Sequence, residues 1–233
     1  MSNNSNARSS RRSNGSGSTP KKTSPKRLFW ICALLLILIV AGGGCGFISA
    51  TLSNLPDVSN VRPSASSQIY DVHGNLITTV HSTENRLPVP LKDVPKDLQN
   101  AFVATEDSRF YSHHGIDPVG ILRAVWVNLV HSGVSEGGST ITQQLARNAF
   151  LSQDRTFKRK ISEALLALKI EQHYTKDEIL EMYMNQIYFG QGAYGVQSAA
   201  HVYFGKDASQ LTLAKAALIA GLPQSTNYYS PVY

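Results

Sequence analysis

Between Leu28 and Leu52 the chain runs for 25 residues without a charged side chain. At ~1.5 Å of rise per residue, a helix of that length exceeds the ~30 Å hydrocarbon thickness of a bilayer. The run is longer than the apolar region of a secretory signal, and no Ala-x-Ala site follows it. Gly42-Gly43-Gly44-Cys45 is a poor lipoprotein signal, because no Leu stands three residues before the cysteine. Residues 28–52 are therefore expected to form an uncleaved transmembrane anchor.

Charge sets the orientation. Residues 1–27 carry seven basic side chains (Arg8, Arg11, Arg12, Lys21, Lys22, Lys26 and Arg27) and no acidic one. Of 22 basic residues in the chain, 15 remain to face 16 acidic ones, so the formal charge of +6 belongs to the tail. A nearly neutral body argues against a nucleic-acid partner. The tail, rich in Ser, Asn and Gly, is expected to be disordered and cytoplasmic, with everything after the anchor outside. A Ser18-x-x-Lys21 spacing in such a tail is chance. Cys32 and Cys45 both fall within the apolar run, so the exported part is expected to hold together without disulfides.

Pro56, Pro63 and several Ser and Asn make the segment after the anchor a stalk, over residues 53–84. Gln68–Val80 alternates β-formers around His73-Gly74-Asn75 and predicts a short hairpin within it. Beyond Pro95 the texture is helical, and the spacing predicts helices over Lys96–Thr105, Pro118–His131, Thr140–Phe150, Thr156–His173, Lys176–Gln186, Gly192–Phe204 and Thr212–Leu222. Asp117-Pro118 supplies an N-cap and a first-turn proline, and Thr175 with Glu178 a capping box. The exported part, residues 85–233, is expected to be a mainly α domain.

Three polar groups stand where a bland helical domain would not put them. The first runs from Glu106 to Gly115, with Asp107, Arg109, Phe110, His113 and His114. Glu106 falls at or just beyond a helix C-terminus, where a carboxylate opposes the helix dipole. A solvated helix end and a metal site are both open readings, although no recognised ligand spacing supports the metal. In the second group, Gly137-Gly138-Ser139-Thr140 delivers the chain to a helix whose first turn is a natural anion cradle, with Gln144 and Arg147 on one face. An ordinary capped helix is the plainer reading.

The third group is Arg155-Thr-Phe-Lys158-Arg159-Lys160-Ile-Ser-Glu163. Arg155, Arg159 and Glu163 fall within about 80° of one another at helical spacing. Ile161, Leu165 and Leu168 make the face expected to pack on the core. A solvated charged face explains such a run, and so does a diphosphate site.

Together these groups resemble the peptidoglycan glycosyltransferases, glycosyltransferase family 51, found in class A penicillin-binding proteins and monofunctional transglycosylases. The family patterns Glu-Asp-x-x-Phe-x-x-His-x-Gly, Gly-x-Ser-Thr-Ile-Thr-Gln-Gln and Arg-Lys-x-x-Glu stand at Glu106–Gly115, Gly137–Gln144 and Arg159–Glu163. A fourth, Lys-x-x-Ile-Leu-Glu-x-Tyr-x-Asn, stands at Lys176–Asn185. The resemblance implies a lysozyme-like helical fold that polymerises lipid II into β-1,4-linked glycan with inversion at the donor anomeric carbon and release of undecaprenyl diphosphate.

By the same resemblance Glu106 and Glu163 are catalytic, Glu106 as general base and Glu163 organising the diphosphate side. Asp107, Phe110, Ser139, Gln144, Arg147, Arg155 and Lys160 are substrate-binding. A divalent cation such as Mg²⁺ is implied near Glu163, with no organic cofactor. The implied partners are the membrane, the growing glycan strand and a cell-wall synthesis or division complex. Arg147 stands where the family often has Lys, which keeps the charge and changes its shape. The chain ends at Tyr233, before the family's fifth motif, so the domain is expected to be C-terminally incomplete and followed by a transpeptidase domain. A glycan-cleaving lytic enzyme would not need the cations around Lys160, and a membrane adaptor would need neither glutamate.

Overall fold

Thr140 and Thr175 open helices in the same reciprocal way. Each hydroxyl accepts the N–H three residues on, and the side chain there, Gln143 or Glu178, accepts the threonine N–H in return. Asp117 caps a third helix, with Pro118 in its first turn, and Thr156 a fourth. The computed structural model describes Gly46 and residues 49–59, 67–74, 76–80, 85–131, 137–152, 154 and 156–232. Within these residues the helices are α1 (Lys96–Glu106), α2 (Pro118–Val130), α3 (Ile141–Phe150), α4 (Phe157–His173), α5 (Lys176–Gln186), α6 (Val196–Phe204) and α7 (Leu213–Gly221).

The basic tail and most of the apolar run, including both cysteines, lie outside the described residues. Among the described residues no helix is long and apolar enough to cross a membrane.

Helix α1 packs against α7, and α3 packs against both α4 and α5. Leu98 and Phe102 of α1, Ile141 and Leu145 of α3, Leu166 and Ile170 of α4, and Leu180 and Tyr183 of α5 meet in one fully buried core. Each aliphatic or aromatic side chain buried there contributes ~1.5–3 kcal/mol. Phe102 sits edge-on to both Tyr183 and Phe189, at centroid distances of 6.1 and 5.8 Å. The site described below lies at the end of α1 and along α3 and α4, so this core fixes its walls.

The expected hairpin is present as β1 (Ser67–Tyr70) antiparallel to β2 (Leu76–Val80). Within the segment expected as a stalk, Val58 is fully buried, Leu55 packs on the core, and Tyr174 Oη donates to the Val58 carbonyl at 2.8 Å.

Two helical expectations are also corrected. Gly192 does not begin a helix. Ala193–Tyr194 (β4) instead pairs in parallel with Asn85–Arg86 (β3), and α6 starts only after Gly195. Gly195 has φ +84, and a Cβ there would lie 2.8 Å from the Asn185 carbonyl oxygen, so glycine is required. The buried face of α4 is Ser162, Glu163, Leu166, Ala167 and Ile170, while Leu168 is 38 % exposed. The helix is thus turned from the expected orientation, because Leu166 and Ile170 stand one and two turns beyond Glu163 and carry it inward with them.

Candidate active site

Glu106 is the last residue of α1. Its Oε2 accepts a hydrogen bond from Gln144 Nε2 of α3 at 3.0 Å, and Gln144 Oε1 in turn accepts from Tyr183 Oη of α5 at 3.2 Å. Glu106 Oε1 is buried and has no hydrogen-bond partner among the described residues. Burial pushes the Glu106 carboxyl above its ordinary pKa, against the lowering effect of the Gln144 bond and the Arg147 charge. Glu106 thus stands at the helix end where the sequence placed it, and burial is the main cause of its raised pKa.

Asp107, the next residue, is buried and bonded within the chain. Its two oxygens lie 3.0 and 2.9 Å from His113 Nε2, and Oδ2 also accepts the Ile141 N–H at 3.0 Å. The anion cradle at the start of α3 is thus filled from within the chain, by Asp107. Thr140 Oγ1 donates to the Gly115 carbonyl at 2.6 Å and closes the same junction. Gly115 has φ +83, and a Cβ there would press on the Ala167 backbone at 2.9 Å, so the loop approaches α4 closely only with glycine. Phe110 has 0 % exposure and stacks edge-on with Tyr111 and His113. Asp107 thus ties the end of α1 to the start of α3, and Phe110 is closed into the core.

Lys160 and Arg159 converge on Glu163. Lys160 Nζ lies 2.7 Å from Ser139 Oγ and 2.8 Å from Glu163 Oε2, and Arg159 Nη1 donates to Glu163 Oε1. Glu163 itself is 1 % exposed. A buried carboxylate gripping two cations fixes both in space, and only their outer faces remain for a ligand. Arg159 Nε is buried without a hydrogen-bond partner among the described residues. Arg155 lies outside the described residues; it precedes Thr156, the N-cap of α4.

Two open clefts meet at Gln144 and Arg147, which line both. The smaller, about 510 Å³, is walled by Glu106, Ser139, Arg123 and Tyr229. The larger, about 730 Å³, holds Arg159, Arg86, Gln186, Tyr188 and Tyr194. Arg86 lies over the Tyr194 ring at 4.8 Å, and Tyr194 is 4.8 Å from Tyr188. Glu106, Ser139, Gln144 and Arg147 are thus brought to one place, with Lys160 reaching it through Ser139.

Arg86, Arg123 and Tyr183 were not legible as site residues. Arg86 and Arg123 stand outside the four motifs, and the motif tyrosine at position 183 reads as a core aromatic.

Among the described residues no group of three or more His, Cys, Asp or Glu could hold a metal ion. Both Glu163 oxygens already accept from Lys160 and Arg159, so a divalent cation there would share the carboxylate with them.

Residues 73–233 match the family model for transglycosylases, a span that starts within the hairpin, upstream of residue 85. The chain is similar to Penicillin-binding protein 1A of Escherichia coli (strain K12), at 51% identity over 203 residues, which is 87% of this chain and 24% of that protein. It is similar to Penicillin-binding protein 1F of Bacillus subtilis (strain 168), at 49% identity over 168 residues, 72% of this chain and 23% of that protein. With Penicillin-binding protein 1A of Haemophilus influenzae it shares 53% identity over 166 residues, 71% of this chain and 19% of that protein. The chain spans about a quarter of the length of the first of these relatives.

Proposed function

The chain belongs to the transglycosylase family, glycosyltransferase family 51, and on that premise we propose that it is a peptidoglycan glycosyltransferase of bacterial cell-wall synthesis. The substrate is lipid II, and the fold is of the lysozyme-like kind. The observation that carries the reading is Glu106: a buried carboxylate with one oxygen held by Gln144 and the other without a partner among the described residues, on the wall of a cleft lined by cations.

The Glu106 carboxylate takes the proton from the 4-hydroxyl of the acceptor sugar. The freed oxygen attacks the donor anomeric carbon from the face opposite the leaving group. The bond from that carbon to the diphosphate oxygen breaks, and its electron pair departs with undecaprenyl diphosphate. Such a leaving group needs charge neutralisation more than a proton. Lys160, Arg159, Arg147 and Arg155 supply it, the first two pre-aligned by Glu163, and Ser139 orients the Lys160 ammonium. A divalent cation near Glu163, when bound, would add to the same neutralisation.

The site works at a membrane surface. Val119, Leu122, Val125, Trp126, Leu129 and Val130 of α2 are each more than half exposed, an apolar face that suits lipid. With residues 28–52 as a single-pass anchor and the basic tail in the cytoplasm, the domain stands outside, where it meets the lipid-linked substrate. A transpeptidase domain following in the full-length protein, and a place in a cell-wall synthesis or division complex, complete the proposal. Incubation with lipid II and separation of the products by size tests it. Long glycan strands are expected; shortening of pre-formed strands with no polymerisation would mark a lytic enzyme instead.

A further inference from the structure

The hydrogen bond on Glu106 is itself held from deeper in the protein. Tyr183 is fully buried, its ring fixed edge-on against Phe102 at 6.1 Å, and its hydroxyl reaches Gln144 Oε1 at 3.2 Å. The carboxamide it touches is the one whose Nε2 reaches Glu106 Oε2 at 3.0 Å. We propose that Tyr183 is a positioning residue for the proposed base, its hydroxyl setting the orientation of the Gln144 amide so that the NH₂ end faces Glu106. The inference rests on the reading of Glu106 as the base.

An amide has one accepting and one donating end, and only the donating end favours an ionised carboxylate. Donation from Tyr183 occupies Gln144 Oε1 and leaves Nε2 for Glu106. Oε2 is engaged in this way, and Oε1 is buried without a partner among the described residues, so the Gln144 donor is the bond that favours the ionised form. Burial and the nearby Glu106 charge raise the Tyr183 phenol well above its ordinary pKa, so it keeps its proton throughout the working range. The other groups around Glu106 are Arg147 of α3, the adjoining Asp107, and Arg123 and Tyr229 across the smaller cleft. The Gln144 amide oxygen itself accepts from the Tyr183 hydroxyl, and that bond fixes which end of the amide faces Glu106.

Tyr183→Phe removes that hydroxyl and keeps the ring. The Gln144 amide then turns freely, its oxygen faces Glu106 part of the time, and the ionised carboxylate loses its donor. The expected result is a rate loss that grows as the pH falls, from about threefold at the optimum to about tenfold on the acid limb. In a Gln144→Ala background the same change should add no pH dependence.

Incorporation of 3-fluorotyrosine at position 183, which keeps the shape and strengthens the donor, should move the acid limb the other way. Infrared difference spectra between the protein and its Glu106→Gln variant follow the Glu106 carboxylate directly, independent of turnover. Its titration should move to higher pH in Tyr183→Phe and to lower pH with the fluorinated residue. A pH-independent loss in Tyr183→Phe, or an unmoved carboxylate titration in both variants, overturns the proposal. Undiminished polymerisation by Glu106→Gln would instead overturn the reading of Glu106 on which it rests.

Discussion

Lys160 Nζ lies 2.8 Å from Glu163 Oε2, one turn back along α4, and the carboxylate it meets is 1 % exposed. Exposed ion pairs of this spacing contribute ~0.3–0.5 kcal/mol and leave both side chains mobile. Burial of the acid changes that, since Glu163 cannot lose its cations without leaving a charge unpaired. The pair therefore acts as a clamp that aims Lys160 at Ser139 and the cleft.

If that aim serves a diphosphate, Lys160→Ala and Arg159→Ala should each slow lipid II polymerisation by about one to two decades. Lys158 is exposed on the same helix and has no place in either cleft. Lys158→Ala should change the rate little and stability by no more than ~0.5 kcal/mol. Initial polymerisation rates for the three variants decide the matter; equal small losses would return the cluster to a solvated face.

Phe110 falls within a family motif, yet it is closed off from both clefts. Phe110→Ala should cost ~3–5 kcal/mol of stability through the cavity it opens. In the folded fraction, KM for lipid II should stay near the wild-type value. A raised KM with an unchanged melting temperature would put Phe110 back against the substrate.

Asp107 joins His113 to the Ile141 N–H in a buried junction. Asp107→Ala leaves the buried His113 ring and the Ile141 N–H without their acceptor, at ~1–3 kcal/mol each, so it should melt several degrees lower. Thermal unfolding followed by circular dichroism checks this. An unchanged melting point would mean that the junction is dispensable and that the carboxylate serves the ligand after all.

The buried Glu106 carboxyl has a raised pKa, so the folded protein holds that proton more tightly than the unfolded chain does. Its contribution to stability therefore falls as the pH rises from the ordinary glutamate range through the raised folded value. At neutral pH the ionised group costs stability, and Glu106→Gln should melt higher than the wild type. At about pH 3, below the ordinary carboxylate pKa, the difference should shrink. A Glu106→Gln protein that melts lower at neutral pH would contradict the burial argument.

Helix starts were the most legible part of this fold, because Asp117-Pro118 and Thr175 with Glu178 carry their caps within four residues of sequence. Glu106, Gln144 and Lys160 were legible through their motifs, and the place of Glu106 at a helix end was legible from position alone. What stayed hidden depends on partners far away in sequence. The turn of α4 that buries Glu163 follows from Leu166 and Ile170 packing in the core, whereas apolar spacing alone pointed to Ile161, Leu165 and Leu168. Asp107 and the anion cradle were both visible as features, but only the fold brings residues 107 and 141 together. Residues 193–194 form a strand because residues 85–86 lie beside them.

The central claim is that Glu106 takes the proton from the acceptor sugar, and Glu106→Gln tests it most directly. The amide keeps the size and the bond to Gln144 but accepts no proton at neutral pH. With lipid II as substrate and the fold checked by circular dichroism, the variant is expected to yield no glycan polymer. Polymer formed at close to the wild-type rate by a folded Glu106→Gln protein would contradict the account.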